Sequence, residues 1–141
     1  MLLVPDEGEG QMMEQLRSLW NSTSLIVGLF VSAHTPVNTD VLADYEAIEA
    51  TFPGYARSDP VPWGAPDTDG AGRARTTSDD VLIFMRVANG APETAFGYFV
   101  IDVASNLLMW AEEFAVPFVI DDETADPILV RPRITLRHEP P

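Results

Sequence analysis

The fold is decided by residues 93–114, ETAFGYFVIDVASNLLMWAEEF, in which two apolar runs are separated by Ala104-Ser105-Asn106. Both runs are rich in aromatic and aliphatic residues, and a few turn-forming residues between such runs predict a β-hairpin. In the first run Tyr98 and Val100 fall on one face of the strand, and Phe99 falls on the other. Since neither face is polar, we predict a central strand that is covered on both sides.

The composition limits the classes of partner. The chain has 141 residues, which is enough for one domain with its own core, and we predict a single domain over residues 1–141. It has no cysteine, and 22 acidic residues oppose eight basic ones for a net charge of −14. All eight basic residues are arginine. So acidic a surface repels phosphate, and we predict neither a nucleic-acid nor a membrane partner.

The first residues do not have the pattern of a targeting segment. Met1–Val4 is apolar but carries no basic flank, and Pro5 ends the run. We therefore expect no signal peptide. The longest later apolar run, Leu25–Val31, is far shorter than a membrane span. These features predict a protein that is synthesised in the cytoplasm.

Periodicity and turn residues predict a mainly β protein with two helices. Met13, Leu16 and Trp20 share one face of an N-terminal helix over about residues 9–20. Strands and a short second helix follow along the chain. The predicted ranges are a strand at 24–32, a helix at 40–50, at most a short edge strand at 55–58, and strands at 73–77, 81–87, 94–102, 107–114, 116–120 and 128–138.

From this element order we predict an antiparallel β-sandwich or jelly-roll-like barrel of about seven or eight strands. The core is expected to contain the inward-facing residues of the apolar strands. The predicted core residues are Leu25, Val27, Leu29, Phe84, Tyr98, Val100, Leu108, Trp110 and Ile134.

Residues 51–73 change character and are dense in proline, glycine and aspartate, which predicts a long ordered loop. Trp63 stands alone among turn-forming residues in this loop. A lone tryptophan there is typical of an anchor that holds the loop on the core. The alternative is that Trp63 and Tyr55 stack on the face of a sugar. We include Tyr55, Arg57 and Trp63 among the candidate interface residues.

We find no signature of catalysis, and we predict no catalytic, cofactor-binding or metal-binding residue. The chain has two histidines, His34 and His138, and no Gly-x-Ser-x-Gly motif. Two acidic loops, Asp67–Asp69 and Asp121–Asp126, leave calcium binding or a paired-carboxylate hydrolase as alternatives. Neither completes a twelve-residue calcium loop. We therefore interpret both as solvated acidic loops.

The last predicted strand concentrates positive charge. Arg131, Arg133 and Arg137 fall on one face of it, although Pro132 indicates an edge position. Arginine pairs with carboxylates in a bidentate geometry. These side chains either pair with acids of a neighbouring strand or face an adjoining subunit, and we include all three as candidate interface residues.

Several motifs occur in a familiar order. They are Gly28-Leu29-Phe30, residues 49–57 (EATFPGYAR), Trp63-Gly64-Ala65-Pro66, residues 97–102 (GYFVID), residues 110–114 (WAEEF) and an arginine-bearing last strand. In this order the chain resembles a group of small virion structural proteins of tailed bacteriophages. The likeness covers nearly the whole chain and transfers no catalytic residue.

The resemblance implies a non-enzymatic component of the virion, which a capsid decoration (cement) protein exemplifies. Such a protein binds and stabilises the shell as a homo-oligomer, with a trimer favoured, and its partner is the major capsid protein or another virion protein. The alternative that the resemblance leaves open is a tail, baseplate or fibre component, including a receptor or glycan-binding module.

Overall fold

A computed structural model describes residues 6–121 and 126–136 of the chain. Within these ranges the protein is mainly β, with two helices and three small antiparallel sheets. The helices are α1 (Asp6–Thr23) and α2 (Leu42–Glu46). The strands are β1 (Leu25–Phe30), β2 (Asp67–Thr68), β3 (Ala74–Thr77), β4 (Leu82–Phe84), β5 (Glu93–Asp102), β6 (Leu107–Ile120), β7 (Ile128–Val130) and β8 (Arg133–Thr135).

The predicted hairpin is confirmed as β5 and β6, which pair antiparallel. Asn106 completes the turn between them with φ 55°, a left-handed conformation that asparagine tolerates better than most residues. On its other edge β5 pairs with β1, so that the sheet has the order β1-β5-β6 and β5 is the central strand.

Both faces of β5 are covered, as the apolar character of both faces predicts. Tyr98 and Val100 belong to one hydrophobic cluster, which also contains residues of α1, β1, β4 and β7. Phe99 and Ile101 belong to a second cluster with Tyr45 of α2. The central sheet therefore separates two hydrophobic layers.

The predicted core residues all take part in these clusters. Six of them are buried, and Leu108, Trp110 and Ile134 are partly buried against the same clusters. The helix predicted at 9–20 is confirmed and extends over the longer range of α1, which ends where Ser24 adopts φ 60°. The helix predicted at 40–50 contains α2, which has only five residues.

The remaining strands form two further sheets, with orders β2-β3-β8 and β4-β7. The three sheets confirm the mainly β class, while the sandwich or jelly-roll arrangement stays a prediction. Three strand predictions were wrong in their limits. Residues 116–120 form the end of β6, and residues 55–58 form no strand. The last strand is interrupted at Arg131-Pro132 and contributes β7 and β8 to different sheets.

A buried arginine fixes the chain after β4. Arg86 is 3% exposed, and its guanidinium donates hydrogen bonds to the carbonyl oxygens of Ala88, Ala91 and Ile120 at 2.8–3.0 Å. Three carbonyls around one guanidinium satisfy much of its hydrogen-bonding capacity without water. Arg86 thereby ties the turn before β5 to the end of β6.

Candidate functional site

The loop of residues 51–73 is held on the core by Trp63. Its side chain is 1% exposed and packs against Trp20 of α1 and Trp110 of β6, with ring centroids 5.3 and 5.4 Å away. The side-chain oxygen of Asn21 accepts a hydrogen bond from the backbone N–H of Trp63 at 2.8 Å, and its side-chain nitrogen donates to the backbone carbonyl of Trp63 at 3.2 Å. This confirms the anchor interpretation. A buried Trp63 is unavailable for stacking on a sugar or for an interface.

Tyr55 and Arg57 are also engaged within the chain. The Tyr55 hydroxyl accepts the Leu29 N–H at 3.0 Å and donates to Glu49 at 2.7 Å. Burial and the bond to Glu49 raise the pKa of Tyr55. Arg57 donates to both oxygens of Glu49 at 2.8 and 2.6 Å, and its guanidinium lies 5.7 Å from the centre of the Phe99 ring. These contacts fix the loop against β1 and give both residues a structural role.

Both aspartates of the Asp67–Asp69 loop form ion pairs with arginines. Asp67 pairs with Arg75 at 2.7 Å, and Asp69 pairs with Arg73 at 2.5 Å. Asp67 and Thr68 are exposed, so this acidic segment is solvated, although part of it forms the strand β2. Among residues 6–121 and 126–136 no group of three His, Asp or Glu side chains could hold a metal ion. Residues 122–125 of the second acidic loop lie outside the described residues.

The contacts around Asp69 give a testable pH dependence. The bond from Arg73 holds the pKa of Asp69 at about 2, well below its ordinary value. A lowered folded-state pKa stabilises the fold above the ordinary value, and this contribution is lost as the pH falls through the range from about 4 to about 2. We expect Arg73→Ala to raise the Asp69 pKa towards its ordinary value in a carboxyl NMR titration.

The matched control for this titration is Arg75→Ala. Arg75 is the main cause of the lowered pKa of Asp67, whereas the hydrogen bonds from Arg73 are the main cause for Asp69. This variant should therefore move the pKa of Asp67 upwards and leave that of Asp69 low. An ordinary pKa for Asp69 in the unmodified protein would contradict the ion pair.

His34 has a local partner. Its Nε2 lies 2.9 Å from Asp40 Oδ2, and the same oxygen accepts the Tyr45 hydroxyl at 2.8 Å and the Val37 N–H at 2.9 Å. These bonds, the one from Val37 first, lower the pKa of Asp40. Within the described part of the chain, no Ser or Thr hydroxyl hydrogen-bonds to His34. The arrangement closes the loop after β1 and supplies no activated nucleophile.

Two of the predicted arginines line a cleft between β6 and the strands β3, β7 and β8. We call it the arginine cleft; its volume is about 480 Å³. It contains Arg131 and Arg133 together with residues that the sequence did not single out as interface residues. The complete lining is Arg75, Thr77, Tyr98, Glu112, Phe114, Leu129, Val130, Arg131 and Arg133. Arg137 lies outside the described residues.

Some charged side chains of the arginine cleft bond to another side chain, whereas others form no ion pair with a described residue. Arg75 is paired with Asp67, and Glu112 accepts a hydrogen bond from the Tyr98 hydroxyl at 2.5 Å. The ion pairs between described residues include neither Arg131 nor Arg133. Arg131 donates to the Ser78 carbonyl at 3.0 Å, and both arginines are exposed. Among the described residues, Arg75 pairs with an acid of a neighbouring strand, whereas Arg131 and Arg133 do not.

Apolar side chains border the same cleft. Leu129 is 57% exposed, and Phe118 is 43% exposed and packs edge-to-face on Phe114 with ring centroids 5.1 Å apart. Exposed aromatic and aliphatic groups beside arginine have the composition of a protein interface. This site could not be predicted from the sequence, because its residues belong to strands that are distant along the chain.

Comparisons with models of protein families, with characterised proteins and with solved structures found no match to this chain. The resemblance to phage virion proteins therefore stays a prediction. Neither of the two described helices is both long and apolar enough to cross a membrane.

Proposed function

We propose that this protein is a non-enzymatic structural component of a tailed-bacteriophage virion. In this proposal it is a capsid decoration protein that binds the major capsid protein as a homo-oligomer. The observation that carries the interaction role is the arginine cleft, whose lining includes Arg131, Arg133 and the exposed Leu129. The order of sequence motifs supplies the virion context.

We also infer that the sheets stack as a sandwich, because the main hydrophobic cluster joins residues of all three sheets.

The charge of the chain supports self-association through this cleft. Carboxylates are abundant on a chain with 22 acidic residues and a net charge of −14, whereas arginines without a described acidic partner are few. A cleft with exposed arginines is therefore complementary to the acidic surface of a second copy. Such a contact joins different patches of two copies, and it closes into a ring such as a trimer when the rotation between copies permits.

The virion role is tested by counting copies of this protein in purified particles, with mass spectrometry calibrated against the major capsid protein. Hundreds of copies are expected for a protein that decorates the lattice. A dozen or fewer would replace the decoration role by a tail or baseplate position. Absence from the particle would contradict both.

The role of the arginine cleft is tested by the double variant Arg131→Glu and Arg133→Glu. Placing like charges across a contact costs several kcal/mol, so we expect the dissociation constant of the oligomer to rise at least about 100-fold. Sedimentation equilibrium measures this change. The control is the double lysine variant, which keeps the charge but loses bidentate pairing and should weaken assembly less. A wild-type protein that stays monomeric and does not bind purified shells would overturn the proposal.

A further inference from the structure

A second cleft lies between β4 and the loop of residues 53–62. The two segments are joined at both ends, since Val87 donates its N–H to the Pro53 carbonyl at 3.0 Å and Asp79 donates to the Pro62 carbonyl at 2.9 Å. Between these bonds the segments separate and leave an open space of about 580 Å³, which residues 80–85 line on one side. We call this space the β4 groove.

The edge of β4 that faces the groove has free hydrogen-bonding positions. In an antiparallel strand, alternate residues direct both backbone groups to the same side. The backbone N–H groups of Asp79 and Val87 point away from β7, towards the loop. The backbone groups of Val81, Ile83 and Met85 therefore point to the same side. At Met85 this side is closed, since its carbonyl oxygen lies 3.0 Å from the position that a Cβ would occupy on Gly54, and the open positions are those of Val81 and Ile83.

These positions lack backbone partners in the part of the chain that the structure describes. None of the N–H groups of Val81, Ile83 and Met85 bonds to a backbone carbonyl there. The side chains of the same three residues are 47–66% exposed on the outer face. An open strand edge with apolar side chains is a template for the addition of another strand. Three residues of β-strand span about 10 Å, which corresponds to Val81–Ile83.

Charge indicates what the groove accepts. Its lining includes the exposed Asp59 and Asp80, while its one lining arginine, Arg57, is already paired with Glu46 and Glu49. The local charge is therefore negative. A second copy of this chain has no lysine and a net charge of −14, so it is a poor match.

We propose that the β4 groove binds a short extended segment of a partner protein in which apolar side chains alternate with lysine or arginine. The segment adds as a strand to β4 at Val81–Ile83, its backbone bonding to Ile83 and its basic side chains reaching Asp59 and Asp80. This inference goes beyond the proposed function, because it applies whether or not the protein belongs to a virion.

The first test uses a fluorescein-labelled peptide, Lys-Val-Lys-Val-Lys-Val, with Glu-Val-Glu-Val-Glu-Val as its control, and measures binding by fluorescence anisotropy. Ile83→Pro removes the N–H that faces the groove and leaves the bonds from Leu82 and Phe84 to β7 in place. We expect this variant to bind the lysine peptide at least about tenfold more weakly. The control variant Ile83→Thr keeps the N–H and should bind within about twofold of the wild type. Equal binding of the two peptides, or undiminished binding by Ile83→Pro, would overturn the proposal.

A second measurement requires no variant. Amide hydrogen exchange at Val81 and Ile83 should slow at least about tenfold when the unmodified protein is saturated with the lysine peptide. Leu82 and Phe84, whose backbone groups face β7, should be protected with or without the peptide. Unchanged exchange at Val81 and Ile83 would contradict strand addition. Slowing that depends on protein concentration without any peptide would show that a second copy occupies the groove, and it would overturn the proposed partner.

Discussion

Replacing Trp63 with alanine is expected to lower the free energy of unfolding by about 3–5 kcal/mol, the range for truncating a buried large aromatic side chain. Trp63 is 1% exposed and touches both Trp20 and Trp110, so the cavity would open between α1, the long loop and β6. Urea denaturation followed by far-UV circular dichroism measures the change.

Two matched variants separate packing from side-chain chemistry. Within the described residues the buried Nε1 of Trp63 has no hydrogen-bond partner, so Trp63→Phe removes no bond and should cost less than the alanine variant. Phe118→Ala truncates an aromatic side chain that is 43% exposed and should cost about 1 kcal/mol or less. A Trp63→Ala protein as stable as Phe118→Ala would contradict the anchor role.

Gly97→Ala is expected to destabilise the fold by about 3 kcal/mol or more, at or above the upper end of the usual cost of overpacking. Gly97 lies in β5 between β1 and β6. A Cβ there would overlap the carbonyl oxygen of Glu112 and lie 2.5 Å from the Phe30 ring. The backbone oxygen cannot move aside without separating β5 from β6. Thermal or urea unfolding provides the measurement.

The same substitution at Gly10 is the control. Gly10 lies in α1, and nothing in the described structure approaches the position of its Cβ within 4 Å. Alanine is favoured over glycine in a helix by about 0.5–1 kcal/mol, so Gly10→Ala should be neutral or stabilising. If both variants had equal stability, the close approach at Gly97 would be wrong.

The sequence was sufficient for the elements that have strong local signals. The apolar runs of the hairpin, the helical spacing of Met13, Leu16 and Trp20, and the two covered faces of β5 are all present in the structure. The predicted limits of strands were wrong where tertiary contacts override local patterns. The sequence predicted separate strands at 107–114 and 116–120, yet β6 continues through both because its pairing with β5 shifts register between Ala95 and Gly97.

The candidate sites were less predictable. Arg131 and Arg133 were identified from alternation, but Tyr98, Glu112 and Phe114 join them only through the packing of separate sheets. Arg57 and Trp63 were given interface roles because they stand out in a polar loop, whereas the fold uses both internally. The β4 groove depends on backbone directions, which depend on strand pairing and not on residue type.

The tryptophan cluster also determines what spectroscopy will report. All three tryptophans of the chain are in mutual contact, with ring centroids 5.3–5.5 Å apart. Tryptophan fluorescence and the indole bands of near-UV circular dichroism therefore report one location, the junction of α1, the long loop and β6. The hydrophobic layer under α2 contains Tyr45 and Phe99 but no tryptophan, and it is silent to both signals. Agreement between fluorescence and far-UV transitions would show that the two layers unfold together, whereas divergence would show that the tryptophan junction opens separately.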